Sequence, residues 1–205
     1  MILFPQDVAL PTTYLNDVRF DLRRGSEGIA FITDSSQNGP NGIIVVDLGS
    51  GSSWRKLHDH PSTKAEDLKT FLPIVESRPF LEHELDGSVK SGAGMGSDGI
   101  AIIAEVTSVL LSSWQPQALS VDTAALADQS LDDSGEVGAA TVTDKRDRGG
   151  ASDGLESDAA GYIYSTNYEH NAILRRRPDR QWETVTHNPR LLWPDTLSLA
   201  ADGYL

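Results

Sequence analysis

Residues 15–57 read LNDVRFDLRRGSEGIAFITDSSQNGPNGIIVVDLGSGSSWRKL, and this stretch decides the fold. Its first part alternates apolar Val18, Phe20 and Leu22 with polar residues, as in a strand with one buried face. Apolar runs at 29–34 and 43–48 follow, each bounded by Gly-rich turns, and a shorter run lies at 53–57. Four short strands joined by tight turns are typical of one blade of a β-propeller. The stretch therefore predicts a four-stranded antiparallel blade.

A short phrase, in which an Asp precedes the apolar start of a strand, recurs along the chain. Its four occurrences are Leu15-Asn16-Asp17-Val18, Ser97-Asp98-Gly99-Ile100, Ser152-Asp153-Gly154-Leu155 and Pro194-Asp195-Thr196-Leu197. Repetition at intervals of tens of residues indicates one supersecondary unit used several times. Because the loop tips of propeller blades meet at one axis, the phrase marks a candidate ligand or metal site.

We expect an all-β chain that forms a single partial β-propeller domain over residues 1–205. Blade-like units of four antiparallel strands fall at about 15–57, 98–122 and 153–186, and the next begins at about 195. Three blades and the start of a fourth leave the propeller incomplete, and its open edges predict self-association. Between these units the pattern predicts a short helix over 63–71, a long irregular connection or a poorly patterned strand pair over 74–92, a short helix over 123–128 and a surface loop over 132–152.

The composition narrows the class of partner. The formal net charge is −13, which disfavours nucleic acid and anionic membrane surfaces as partners. The charge serves either solubility or an acidic mouth that binds cations. The chain has no Cys, so disulfides and thiolate chemistry are excluded. It shows no apolar run of membrane-spanning length, and its first residues lack the basic region of a signal peptide.

Three further motifs carry little weight. The G-x-G-x-x-G pattern at 94–99 lacks the hydrophobic strand that must precede a dinucleotide-binding loop. His58 and His60 could mimic a metal pair, but no third ligand of matching spacing follows, so a solvated loop is favoured. Arg175-Arg176-Arg177 is a short basic run that is more typical of a solvated hairpin than of a phosphate site.

Several segments together resemble the major royal jelly protein/yellow family, in order and in spacing, over nearly the whole chain. They are Tyr14–Asp21, Ala30–Ser35, Gly42–Leu48, Ser53–Leu57, His60–Ser62, Ser152–Gly154, Asn171–Ile173 and Trp193–Thr196. The resemblance implies a six-bladed β-propeller, extracellular and usually secreted, from a superfamily that includes calcium-dependent lactonases of the gluconolactonase type. Residues 103–118 depart from the family pattern, where an Asp-Gly turn and a Leu-Tyr-Tyr strand are expected.

The resemblance also implies site residues at the axis. In the related lactonases, inner-strand tips supply oxygen ligands to one divalent cation, as Ca²⁺ prefers. By that correspondence Asp98 and Asp153 are candidate metal ligands, although the family has Asn at the position of Asp98, and Asn16 lies beside the metal or substrate. Asp195 is a further ligand-binding candidate from the next blade. An Asp before Gly is, on the other hand, an ordinary turn residue.

Three functions stay open. The yellow-type branch implies binding of a small ligand, such as an aromatic amine or catechol, in the axial channel, with Thr166 and Asn167 as further contacts. The first alternative is a Ca²⁺-dependent lactone hydrolase, in which the metal polarises the lactone carbonyl and a carboxylate activates water. The second alternative is a truncated fragment without function. The sequence assigns no catalytic residue and leaves enzymatic activity undecided.

Overall fold

The computed structural model of the 205-residue chain describes residues 1–64, 72–90, 95–103, 108–111, 118–133, 137, 141–144 and 148–205. Three four-stranded antiparallel sheets dominate these residues, and each sheet is a meander in which consecutive strands pair. This is the blade architecture of a β-propeller, so the predicted all-β fold class is confirmed. The predicted helix over 63–71 falls mostly on residues 65–71, which lie outside the described residues.

The first sheet contains β1 (Leu15–Asp21), β2 (Ile29–Asp34), β3 (Gly42–Asp47) and β4 (Ser53–Lys56). Its two central strands are almost wholly buried, because both faces of the sheet are covered. Alternate side chains of β2 therefore enter different clusters: Ile29 and Phe31 pack toward the second sheet, whereas Ala30 packs with Phe4 and Val8 of the N-terminal segment.

Two short hairpins precede the second sheet. The first pairs β5 (Ile74–Val75) with β6 (Arg78–Pro79), and the next pairs β7 (Glu82–His83) with β8 (Val89–Lys90). They occupy the region for which the sequence predicted either an irregular connection or a poorly patterned strand pair, and the paired strands agree with the second alternative.

The second sheet contains β9 (Ile100–Ile103), β10 (Ser108–Leu111), β11 (Ala118–Asp122) and β12 (Thr141–Asp144). Helix α1 (Thr123–Ala127) follows β11 and is capped by the Asp122 carboxylate, which accepts from the Ala124 amide. Strand β12 lies inside residues 132–152, which the Gly and charge content predicted as a surface loop. That prediction was wrong here, because the β-branched Thr141-Val142-Thr143 completes the ladder beside β11.

The third sheet contains β13 (Leu155–Ser157), β14 (Ile163–Asn167), β15 (Ala172–Arg176) and β16 (Trp182–His187). The turn between β13 and β14 places Gly161 at φ 83°, a left-handed conformation that glycine adopts without strain. Strand β16 forms the largely exposed outer edge. Residues 188–205 form no strand, although the sequence predicts a further blade from about 195.

The sheets pack against one another through apolar side chains that lie between their faces. Phe31, Val45 and Trp54 of the first sheet pack with Ile100 and Val121 of the second in one buried cluster. A smaller cluster joins the second and third sheets; its members are Ala101, Ile103, Leu155 and Ile163, with Trp182 against them. The first strands β1 and β13 both lie against β9, so the innermost strands of the three blades are neighbours. Within the described parts of the chain, no helix has the length and apolar character to cross a bilayer.

Candidate functional site at the blade axis

The beginnings of the inner strands converge on one polar cavity. A volume of about 160 Å³ is lined by four dipeptides, one from each occurrence of the recurring Asp phrase: Asn16-Asp17, Asp98-Gly99, Asp153-Gly154 and Asp195-Thr196. Four of the predicted site residues, Asn16, Asp98, Asp153 and Asp195, therefore lie around the same space. Their roles as ligands stay a prediction.

A bulge in β1 directs the first of these dipeptides. Leu15 pairs with Asp34 and Val18 pairs with Ile32, so β1 carries one extra residue between these pairs. Such a bulge bends the strand and re-aims its side chains. The Asn16 side-chain amide donates to Asp98 Oδ1, and the Asp17 carboxylate accepts from the Arg19 guanidinium at 3.1 Å. Asp17, which belongs to the recurring phrase but was not among the predicted site residues, thus lines the cavity with its charge paired.

Asp98 and Asp153 form the centre of the cluster. The two carboxyl groups share a hydrogen bond, and Trp193 Nε1 donates to Asp153 Oδ2 at 2.7 Å. Burial raises the pKa of Asp153 above its ordinary value, and the negative charges of Asp195 and Asp17 raise it further. The hydrogen bonds from Asp98 and Trp193 offset only part of that rise. Two adjacent carboxyl groups in this setting favour a state in which they hold one proton between them.

Backbone hydrogen bonds fix the ends of the inner strands. The Gly99 amide donates to the Asp153 carbonyl at 3.1 Å and joins the second and third blades. A side chain at Gly154 would overlap the Asp195 carbonyl, so glycine at this position lets residues 195–196 close the cavity. Arg19 Nη2 donates to the Leu155 carbonyl at 2.5 Å and ties the first blade to the third.

Thr166 and Asn167, which were predicted as further ligand contacts, do not line the axial cavity. Thr166 Oγ1 accepts from the amides of Asp153 and Gly154 at 3.0 and 3.1 Å, and the side chain is fully buried. Asn167 donates to the Gly149 carbonyl at 2.9 Å. Both side chains therefore hold the loop that carries Asp153, and this geometry gives them a supporting position rather than a direct one.

Trp193 is a residue whose placement the sequence analysis missed. Trp193 and Tyr168 stack with ring centroids 4.2 Å apart and planes 3° apart, and the indole N–H reaches Asp153. Tyr168 is fully buried, and burial raises the pKa of its phenol above the ordinary range. The signal available was the Trp193-Pro194-Asp195 adjacency, which puts an aromatic residue two positions before a recurring Asp.

The side chains around the axial cavity are of the chemical type that binds a hard cation, but their present positions do not form a metal site. Carboxylates and an amide oxygen are ligands that Ca²⁺ accepts. Among the residues that the structure describes, however, no group of three His, Cys, Asp or Glu side chains is placed to hold a metal ion. The Asn16 amide nitrogen faces Asp98, and Asp98 bonds to Asp153. A cation would require Asn16 to turn its oxygen inward and the Asp98–Asp153 pair to lose its proton.

Comparison with known proteins supports the architecture. Residues 1–73 match the sequence model of the family described as Major royal jelly protein. Among curated proteins, no match to the chain was found. A solved gluconolactonase from Xanthomonas campestris superposes with a TM-score of 0.54 at 11% identity, over 95% of this chain and 54% of that one. At this identity the likeness shows the fold alone.

A second solved structure is regucalcin from Agrobacterium tumefaciens, described as a calcium-binding protein. It has a TM-score of 0.45 and 16% identity, over 84% of this chain and 44% of its own. The chain thus spans about half the length of the solved structures that it matches. The resemblance predicted from the sequence is confirmed over residues 1–73, which match the major royal jelly protein family, and the described sheets have the β-propeller fold.

Proposed function

We propose that the chain binds a small cationic ligand in the axial cavity. The observation that carries the proposal is the convergence of Asp17, Asp98, Asp153 and Asp195 with Asn16 on one space of about 160 Å³. Arg19 pairs with Asp17 at 3.1 Å, while Asp153 lies among further negative charges that raise its pKa. Negative charge concentrated around one small space favours a cationic partner.

An organic ammonium group, as in an aromatic amine, fits this chemistry. It donates three hydrogen bonds and carries no acceptor, which matches carboxylates that accept only. The cavity is smaller than the about 300–1,000 Å³ of typical ligand pockets, so it suits the ammonium end of an amine more than a whole aromatic ligand. Binding requires Asp153 to ionise, and affinity is therefore expected to fall as the pH is lowered through its raised pKa.

Ca²⁺-dependent lactone hydrolysis is the second candidate, and the all-oxygen donor set favours it. Asn16, Asp98 and Asp153 would hold the ion, which supplies polarisation of the lactone carbonyl when bound. A carboxylate of the same cluster would accept the proton of the attacking water, a role for which a raised pKa is suited. The fold shared with a gluconolactonase agrees with this candidate without selecting it.

Calorimetric titration separates the candidates. Serotonin and dopamine test the amine proposal, and CaCl₂ tests the metal. Asp153→Asn should weaken binding of whichever cation is bound, whereas Asp86→Asn, in the exposed hairpin between β7 and β8, should leave it unchanged. Absence of binding heat for both amines refutes the first candidate. Absence of Ca²⁺ binding together with no Ca²⁺-dependent hydrolysis of glucono-δ-lactone refutes the second.

The remaining proposals concern the location of the protein, the class of its partner and its self-association. The family match supports an extracellular location, tested by finding the full-length protein in the medium of expressing cells. The net charge of −13 supports a small-molecule ligand over nucleic acid or an anionic membrane. The exposed β16 edge supports self-association, which sedimentation velocity over a concentration series tests. A broad, non-cooperative thermal transition would instead favour a fragment without function.

A further inference from the structure

A second cavity, separate from the axial one, lies beside the first blade. Its volume is about 520 Å³, and it is lined by residues 11–14, residues 36–38 and Met95. That volume falls inside the about 300–1,000 Å³ range of ligand pockets. No lining residue is shared with the axial cavity.

The two walls of this cavity are held by one buried carboxylate. Asp34 is fully buried and accepts hydrogen bonds from Thr13 Oγ1 at 2.7 Å, from the Tyr14 amide at 2.9 Å and from the Ser36 amide at 3.2 Å. Arg55 Nη1 neutralises it at 2.7 Å. Walls that are fixed before binding lower the entropy loss on association.

The lining presents neutral hydrogen-bonding groups. Thr12, Ser36, Gln37 and Asn38 offer hydroxyl and amide groups, and none of the lining side chains is charged at neutral pH. The Asp34 charge lies behind the wall and is paired with Arg55, so it does not select a cation. This cavity therefore differs in chemistry from the acidic axial site.

Ser36 supplies an independent sign of a ligand. The residue is 3% exposed, and its Oγ has no hydrogen-bond partner among the residues that the structure describes. A buried hydroxyl without a partner is unfavourable, and such groups in native proteins call for an explanation. At the other wall, the aromatic residue Tyr14 lines the cavity and is 55% exposed.

We propose that this cavity binds a neutral saccharide. Hydroxyl and amide side chains match the hydroxyl groups of a sugar, which both donate and accept, and the Tyr14 ring can cover an apolar sugar face. An organic amine or an organic acid would leave its charge uncompensated here, at a considerable desolvation penalty. The site is independent of the cation site proposed at the axis.

Titration calorimetry with maltose, N-acetylglucosamine and mannose tests the proposal, with glucosamine and gluconate as charged probes. We expect saturable binding of at least one neutral sugar, with Kd near or below about 1 mM. Tyr14→Ala and Gln37→Ala should each weaken that binding about tenfold, equivalent to ~1.4 kcal/mol. Tyr204→Ala, at an exposed tyrosine outside the cavity, is the matched control and should change nothing.

Three results overturn the proposal: no saturation by any neutral sugar at concentrations far above that range, stronger binding of a charged probe, or unchanged affinity in both Tyr14→Ala and Gln37→Ala. Both side chains are exposed, and an unchanged thermal midpoint in each variant excludes unfolding as the cause of lost binding. Asp153→Asn should leave sugar binding intact. Failure of the axial proposal is thereby distinguished from failure of this one.

Discussion

Replacing Asp153 by Asn should stabilise the ligand-free protein while weakening its cation affinity. Asn has nearly the shape of a protonated Asp. Its oxygen can still accept from Trp193 Nε1, at the place of the present 2.7 Å bond, and its nitrogen can donate to Asp98. The substitution therefore keeps both hydrogen bonds and removes only the charge that burial, Asp195 and Asp17 disfavour.

The sign and size of the effect follow from proton linkage. Because the native pKa of Asp153 is raised, the native state holds a proton that the unfolded state has lost over the interval between the two pKa values. The stabilising contribution of that proton is full below the unfolded pKa and disappears as the pH rises through the native pKa. Across the interval, stability falls by about 1.4 kcal/mol for each pH unit. Asp153→Asn lacks this slope, so its advantage over the wild type should grow with pH and then level off.

Urea unfolding followed by tryptophan fluorescence, repeated from pH 4 upward, measures this difference. Asp86→Asn is a matched control of opposite sign, since the Ser88 hydroxyl and amide lower the pKa of Asp86. Its wild-type carboxylate stabilises above the unfolded pKa, and that stabilisation is lost as the pH falls through the native value. If Asp153→Asn is less stable than the wild type at neutral pH, or shows the same pH slope, the reasoning about the axial pair is wrong.

Three further substitutions, two of them with a comparison variant, test individual interactions within the fold. Arg55→Met should lower the free energy of unfolding by about 3–5 kcal/mol, because it leaves the buried Asp34 carboxylate without its ion-pair partner. Lys64→Met, in an exposed ion pair, should change the free energy of unfolding by less than about 1 kcal/mol in the same urea titrations. Trp54→Phe removes a buried 2.9 Å hydrogen bond to a backbone carbonyl and should lower the free energy of unfolding by about 1–3 kcal/mol. Trp182→Phe should cost less, because the Trp182 indole N–H has no hydrogen-bond partner in the described part of the chain. Equal shifts of the two melting temperatures would contradict this expectation. Gly154→Ala should displace the segment that closes the axial cavity and weaken cation binding in calorimetry, and an unchanged affinity would show that this segment does not contribute.

Local patterning predicted the blades well where strand and turn signals agree. The alternation and Gly-rich turns of residues 15–57 predicted four strands, and the structure has β1 to β4 between Leu15 and Lys56. The signal failed at β12, because Thr141-Val142-Thr143 is flanked by charged and Gly residues that favour a loop. An outer strand gains most of its stability from pairing with β11, a tertiary contact that local pattern does not contain.

At the axis, the sequence indicated which residues lie near one another, but it did not indicate which hydrogen bonds they form. The phrase indicated Asp17, Asp98, Asp153 and Asp195, and the family resemblance added Asn16; all five residues line the same cavity. The sequence did not predict the bulge that directs Asn16 toward Asp98, because a bulge depends on how β1 pairs with β2. It also could not show that Trp193 reaches Asp153, which depends on how residues 188–205 pack against the third blade.

The supporting threonines explain how an acidic cluster persists in a folded blade array. Thr33 and Thr166 each stand one residue before the end of the second strand of their blade. Each hydroxyl accepts from the backbone amide of the Asp that opens the inner strand, Asp17 at 3.0 Å and Asp153 at 3.0 Å.

The second blade has no threonine in its second strand, β10, and Asp98 is held from the first blade instead, where Thr33 donates to its carbonyl at 2.8 Å. Buried hydroxyls bonded to backbone thus anchor the cluster, in addition to the hydrogen bond between the Asp98 and Asp153 carboxyl groups. Since the anchoring bonds do not depend on side-chain charge, the carboxylates can repel one another without separating, and a cation can relieve that repulsion on binding. In the first and third blades, the repeat therefore carries two linked parts, an Asp at the axis and the hydroxyl that holds its backbone in place.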